Sequence, residues 1–101
     1  MKIYLNSQRR SCDAKGKIDE NGYTVLKGSI LSSELSSNEK ISKKIRALRD
    51  DEKTVKDNKL LKNVTFKSAT LSAQFVLGDI VNGLRAWKDS NNVPIGKIIK
   101  K

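Results

Sequence analysis

The apolar positions alternate with polar ones in the first third of the chain, as in strands. Ile3 and Leu5 alternate with polar residues and predict an edge strand over residues 2–6. A second short strand is predicted over 9–17, followed by a turn at Asn21-Gly22. A third strand is predicted over 23–31, with Gly28 interrupting it. We expect these segments to form an antiparallel meander.

In the next segment the apolar residues recur with the period of an α-helix. Ile41, Ile45 and Leu48 recur at i, i+4 and i+7 and predict a helix that is capped by Ser37 or Asn38 and runs to about residue 52. A charged loop over 53–62 and a brief strand over 64–66 come next. Ser68 is predicted to cap a second helix that ends at Gly78. Because this helix is apolar on two sides, we expect it to be packed on both.

The C-terminal part is predicted to be extended. Asn82-Gly83 predicts a turn, 84–88 a strand, and 95–99 a last strand after Pro94, before a solvated tail of Lys100 and Lys101. Together the patterns predict an α+β fold, a mainly antiparallel sheet of about five strands with two helices. We expect one accessory domain over residues 1–101.

Charge adds a functional alternative to this picture. The net charge is +10, from 21 Lys and Arg against 11 Asp and Glu. Such an excess favours polyanionic partners, but it is equally typical of a small domain whose charge keeps it soluble.

Composition argues against catalysis. The chain has no histidine and one cysteine, which excludes Ser-His-Asp and Cys-His mechanisms and a cysteine-based zinc site. The acidic groups at 19–20 and 50–52 lack the apolar flanks that shift a carboxylate pKa, and no phosphate-binding glycine motif is present. We therefore predict a non-enzyme without catalytic residues, metal or cofactor. The lone Cys12 and the lack of a signal peptide or membrane span favour the cytoplasm.

Two basic groups are candidates for nucleic-acid binding. Arg46, Arg49 and Lys53 follow i, i+3 and i+7 on the predicted first helix and line one flank, a pattern that also fits a solvated helix face. The second group is Arg85, Trp87 and Lys88. On the predicted strand, Arg85 and Trp87 share one face, where an exposed indole would stack on a base. A lone Trp in a small domain is more often part of the core.

The order of these features resembles a known family. It is similar to the small domain of unknown function appended to bacterial GIY-YIG nucleases and restriction-modification proteins, which looks related to the RAMA domain. The resemblance covers nearly the whole chain, and the matching segments are 12–16, 22–29, 66–70, 72–78, 82–83, 87–88 and Gly96. Three positions depart from the family pattern: Ala69 replaces proline, Ser72 replaces alanine, and Leu84 replaces an aromatic residue.

The resemblance implies an accessory module whose partners handle DNA. We expect a non-catalytic DNA-binding module, associated with a nuclease or methyltransferase and not with a membrane. The alternative is a protein-interaction module that docks onto such a subunit through an apolar patch at Ile80 or Leu84.

Overall fold

The computed structural model describes residues 1–99 and contains two antiparallel sheets and three α-helices. The strands are β1 (Lys2–Ser7), β2 (Cys12–Asp19), β3 (Gly22–Val25), β4 (Val55–Lys56), β5 (Lys59–Leu60) and β6 (Val64–Phe66). The helices are α1 (Lys43–Asp50), α2 (Ala69–Leu77) and α3 (Gly83–Ala86), followed by a 3-10 turn at Ile95–Lys97. The main sheet has the order β1-β2-β3-β6, and β4 pairs with β5. The α+β prediction is confirmed.

Alternation along β1 and β2 gives the main sheet two different faces. Ile3, Leu5 and Ala14 are buried on the inner face, which carries the core and the helices. The residues between them are mostly polar and face outward. Because residues directly opposite each other in an antiparallel pair project to the same side, the register fixes which polar residues become neighbours.

Small inner residues on β2 leave room for the only Trp. Gly16 lies opposite Ile3 in the register, and a Cβ on Gly16 would lie 3.2 Å from the Trp87 ring and 2.8 Å from the Thr24 carbonyl oxygen. A larger residue at Gly16 would therefore clash with the β3 backbone and crowd the indole. Trp87 is fully buried at this position.

The second helix is formed as the sequence predicts. The Ser68 hydroxyl accepts a hydrogen bond from the Leu71 amide, and Gly78 adopts the left-handed conformation and donates its amide to the Gln74 carbonyl. Seven of the nine residues of α2 are buried. The helix is thus enclosed on more than one side, which agrees with the expected two-sided packing.

The predicted start of the first helix is wrong. Its cap is Ser42, whose hydroxyl accepts from the Lys44 amide at 3.1 Å, and the helix ends at Asp50. Asn38 instead closes a separate turn, because its side chain accepts from the Lys40 amide and its carbonyl from the Ile41 amide. The predicted charged loop contains the β4–β5 hairpin, which turns at Asp57 and Asn58 with positive φ.

The extended segments predicted near the C-terminus are also wrong. The Asn82 side chain accepts from the Leu84 amide, so Asn82-Gly83 starts α3 instead of reversing the chain between strands. The segment 95–99 begins with the 3-10 turn. Further upstream, β3 ends at Val25, and Ile30 makes only isolated bridges to Asp13 and Lys59.

None of the helices among residues 1–99 is long and apolar enough to cross a membrane. The predicted tail, Lys100 and Lys101, lies outside the described residues.

Candidate nucleic-acid interface

Arg49 has a structural role. Its guanidinium donates to the carbonyl oxygens of Phe75, at 2.7 Å, and of Ser32. Burial lowers the pKa of Arg49, since desolvation disfavours the charged form. Its fork of N–H groups satisfies carbonyls at the end of α2, so it is not presented to a ligand.

The predicted basic flank of the first helix is not formed. Because α1 ends at Asp50, Lys53 lies beyond the helix, in the turn that the Asp51 carboxylate closes by accepting from the Lys53 amide. Lys53 is exposed, and Arg46 is half-buried with its guanidinium donating to the Asn38 carbonyl. The three residues therefore do not line one helix face.

Trp87 is part of the core. Its indole Nε1–H donates to the Ser72 hydroxyl at 2.8 Å, and its ring lies against Gly16. With a relative exposure of 0 %, the indole has no face free for stacking on a base. The alternative that a lone Trp packs inside is the one observed.

Arg85 and Lys88 do not share a strand. Arg85 is exposed on α3, and the chain becomes extended only at Trp87. Gly83, at the start of α3, donates its amide to the Thr70 hydroxyl at the first turn of α2, whereas Arg49 contacts the last turn. Arg49 thus lies at the C-terminal end of α2, whereas α3, which carries Arg85, starts at its N-terminal end.

Lys88 instead joins the outer face of the main sheet. It pairs with Tyr4 through two backbone hydrogen bonds, Tyr4 N–H to the Lys88 carbonyl at 2.7 Å and Lys88 N–H to the Tyr4 carbonyl at 2.8 Å. Tyr4 lies opposite Lys15 on its other side, and Lys2 lies opposite Lys17 in the next row. We call this group the Tyr4 cluster: Tyr4, Lys2, Lys15, Lys17 and Lys88.

The Tyr4 cluster is dense. Neighbouring strands lie about 4.8 Å apart, so the Cα atoms of Lys15 and Lys88, on either side of Tyr4, are separated by about 10 Å. The row of Lys2 and Lys17 is two residues away along the strands, about 7 Å. Two lysines therefore flank the partly exposed Tyr4 in its own row, and two more lie in the row beyond Ile3.

The pairing within the cluster does not favour stability. Lys2 and Lys17 are like charges directly opposite each other, which destabilises a strand pair. The repulsion is offset in part by Asp19, whose carboxylate lies 3.7 Å from the Nζ atom of Lys17. Asp13 also lies on this face, opposite Asn6, so acidic residues flank the lysines at both ends of β2.

An open groove runs beside Tyr4. It has a volume of about 390 Å³ and lies between β1 and the loop after Lys88. Its walls are Tyr4, Asn6 and Ala86 with Lys88, Asp89, Ser90 and Asn92. Aromatic, amide, ammonium and carboxylate side chains thus line one groove.

Sequence reasoning missed most of this cluster. The signal was present, since Lys2, Tyr4, Lys15 and Lys17 occupy the polar positions of the two alternating segments. Only the register places them side by side, and only the tertiary fold adds Lys88.

The one thiol of the chain is shielded from solvent. Cys12 is buried, and burial raises the pKa of its thiol. A protonated thiol is a poor nucleophile and a poor metal ligand.

The fold and this surface define a small basic α+β domain with a lysine-rich outer sheet face. Residues 3–99 match the family described as Domain of unknown function (DUF4357), and the chain belongs to that family. No curated protein and no solved structure matches the chain.

Proposed function

We propose that the domain is a non-catalytic, DNA-binding accessory module that binds the phosphate backbone through the Tyr4 cluster. The observation that carries the proposal is the placement of four lysines around one aromatic ring on a sheet face. The domain's helices and core lie on the opposite face. Lysines in such an array release counterions from a phosphate backbone, which supplies most of the affinity of sequence-independent binding.

The unfavourable lysine pairing supports a binding role. A sheet face that served stability alone would place opposite charges or β-branched residues in register. Lys2 and Lys17 repel each other in the free protein, and the pairing of Lys17 with Asp19 offsets this only in part. A polyanion that bridges them would turn the repulsion into attraction, with the net charge of +10 increasing the rate of encounter.

The cellular setting is a further part of the proposal. The resemblance to domains appended to GIY-YIG nucleases and to RAMA-like domains supports a role in DNA processing or restriction-modification, in the cytoplasm, beside a nuclease or methyltransferase. In that setting the partner performs the chemistry. The buried thiol of Cys12 and the lack of histidine agree with a module that binds without reacting.

Salt titration of DNA binding tests the proposal. Fluorescence anisotropy with a labelled oligonucleotide should give a linear fall of log K with log salt, by roughly 0.7 to 0.9 per phosphate contacted. Lys15→Ala and Lys88→Ala should each weaken binding and reduce that slope by about one contact.

The matched control is Lys43→Ala, which removes the same charge from the exposed start of α1 on the other side of the sheet. It should leave the slope unchanged. Arg85 and Lys53, two exposed residues that the sequence also predicts to bind nucleic acid, are replaced by alanine and tested in the same way. Absence of binding at low salt, or equal effects of Lys15→Ala and Lys43→Ala, would contradict the proposal.

The protein-docking alternative is supported by Ile80. Its side chain is 40 % exposed just after α2, whereas Leu84 is half-buried against the core. This alternative expects binding of a protein subunit that Ile80→Ser abolishes, together with no salt-dependent DNA affinity.

A further inference from the structure

We infer that the ligand of the Tyr4 cluster is single-stranded DNA, with one unpaired base stacked on the Tyr4 ring. This inference rests on the proposed function and names its substrate class. It starts from the placement of the aromatic residues. Trp87, Phe66 and Phe75 are in the core, and Tyr23 packs against it from the inner face. Tyr4 is the aromatic residue on the outer face, where it is only partly buried and lines the groove.

The position of Tyr4 is fixed by its backbone. It is hydrogen-bonded to Lys88 on one side and lies in register with Lys15 on the other. A tyrosine ring has only two rotatable side-chain bonds, so it loses little conformational freedom when a base stacks on it. The two lysines on either side of it then lie where the phosphates that flank that base would pass.

The loop beyond Lys88 provides a preformed wall for the groove. The Asp89 carboxylate accepts from the amides of Asn91 and Val93, each at 2.9 Å, and the Asp89 amide donates to the Val93 carbonyl. Asn6 and Asn92 both line this groove, so we expect their side-chain amides to hydrogen-bond the edge of the unpaired base.

A duplex does not fit these features. Its base faces are stacked inside the helix, and its grooves are read by elements that enter them, such as a helix or a two-stranded ribbon. The Tyr4 cluster lies on the face of a four-stranded sheet, which is neither a helix nor a two-stranded ribbon. Aromatic rings on a sheet face, flanked by basic side chains, bind bases that are already unstacked. The groove volume of about 390 Å³ is at the lower end of the range of small-ligand sites.

The test compares a labelled thymidine oligomer of about twelve nucleotides with the same oligomer annealed to its complement. We expect the single strand to bind at least about tenfold more tightly than the duplex. Tyr4→Leu should weaken single-strand binding by roughly fivefold to a hundredfold, because it removes the stacking ring. Tyr4→Phe keeps the ring and should bind within about twofold of the wild-type protein.

The salt dependence separates stacking from charge. Tyr4→Leu removes no charge, so it should lower affinity without changing the salt slope, whereas Lys15→Ala should lower the slope.

NMR gives a measurement that needs no variant. The Tyr4 ring signals should shift on addition of the oligomer, and those of Tyr23, on the inner face, should not.

The outcomes separate this inference from the proposed function. Equal or tighter binding of the duplex, wild-type affinity of Tyr4→Leu, or an unshifted Tyr4 ring would overturn the inference. Salt-dependent binding that Lys15→Ala weakens would in that case still support the proposed function. Failure of both oligonucleotides to bind at low salt would overturn both.

Discussion

The indole Nε1–H of Trp87 donates a hydrogen bond of 2.8 Å to the hydroxyl of Ser72, and both residues are fully buried. The same hydroxyl donates to the Ala69 carbonyl at 2.7 Å, so one serine satisfies the indole and a backbone group of the helix. The bond ties the segment after α3 to the middle of α2. Trp87 then faces the core, and the next residue, Lys88, faces outward beside Tyr4.

Removing this hydroxyl should destabilise the domain. Ser72→Ala leaves the indole N–H buried without an acceptor, which costs about 1–3 kcal/mol. Alanine regains about 0.5 kcal/mol through its better helix propensity. We expect the free energy of unfolding to fall by about 1–2 kcal/mol in urea denaturation followed by circular dichroism.

The control for this change is Ser33→Ala, at an exposed position outside the helices and strands, which should change stability by less than about 0.5 kcal/mol. Equal unfolding midpoints for Ser72→Ala and Ser33→Ala would contradict the structural role given to the hydroxyl.

Replacement of Arg49 by lysine should also be destabilising, although the charge is kept. A lysine lacks the planar fork that reaches the Phe75 and Ser32 carbonyls together, and the carbonyl left without a donor is buried. We expect Arg49→Lys to lower the free energy of unfolding by about 1–3 kcal/mol. Thermal unfolding monitored by Trp87 fluorescence measures this.

Arg46→Lys serves as the control, because the Arg46 hydrogen bond to Asn38 is exposed to solvent. It should change stability by less than about 0.5 kcal/mol. At temperatures where Arg49→Lys remains folded, its DNA affinity should equal that of the wild-type protein. A large loss of DNA affinity without loss of stability would instead show that Arg49 takes part in DNA binding.

Stability should depend on pH through Asp79. Its carboxylate accepts from the Ile80 amide and then from Arg10, and these bonds hold the pKa of Asp79 below its ordinary value of 3.8. Because the folded state favours the ionised form, the contribution is present above the ordinary value and is lost as pH falls through the lower folded pKa. Acidification should therefore weaken the link between the β1–β2 turn and the end of α2.

The measurement is the difference in free energy of unfolding between the wild-type protein and Asp79→Asn. It should be constant above about pH 5 and shrink towards pH 2. Glu20→Gln makes the same change of net charge in an exposed turn and is the control. A difference that stays constant down to pH 2 would show that the carboxylate is not stabilised by these bonds.

Local signals predicted the elements that depend on neighbouring residues. Ser68 and Gly78 bound α2 because a cap and a left-handed stop act within one turn of the helix. The strand β1 followed from alternation and the turn at Asn21-Gly22 from its composition, and the brief strand predicted over 64–66 is present as β6. The errors lie where two local structures compete. Asn82-Gly83 fits both a hairpin turn and a helix cap, and its contact with the first turn of α2 accompanies the cap.

The candidate site was predicted only in part for the same reason. Lys88 was named from sequence, but beside Arg85 and Trp87, which the structure places on α3 and in the core. Lys2, Tyr4, Lys15 and Lys17 were not named, since alternation says which face a residue takes and not which residues are opposite. Register depends on pairing between segments that are apart in the chain.

The sequence by itself determined the α+β class, the alternating strands, the capped second helix and the basic charge, because these follow from composition and from short-range periodicity. The tertiary structure brings four of the 21 basic residues together on one face of the sheet. Because Gly16 has no side chain, the Trp87 ring fits beside it in the core. The backbone pairing of Tyr4 with Lys88 then adds a fourth lysine to the outer face. Both contacts join residues more than seventy positions apart, a separation that no local pattern encodes.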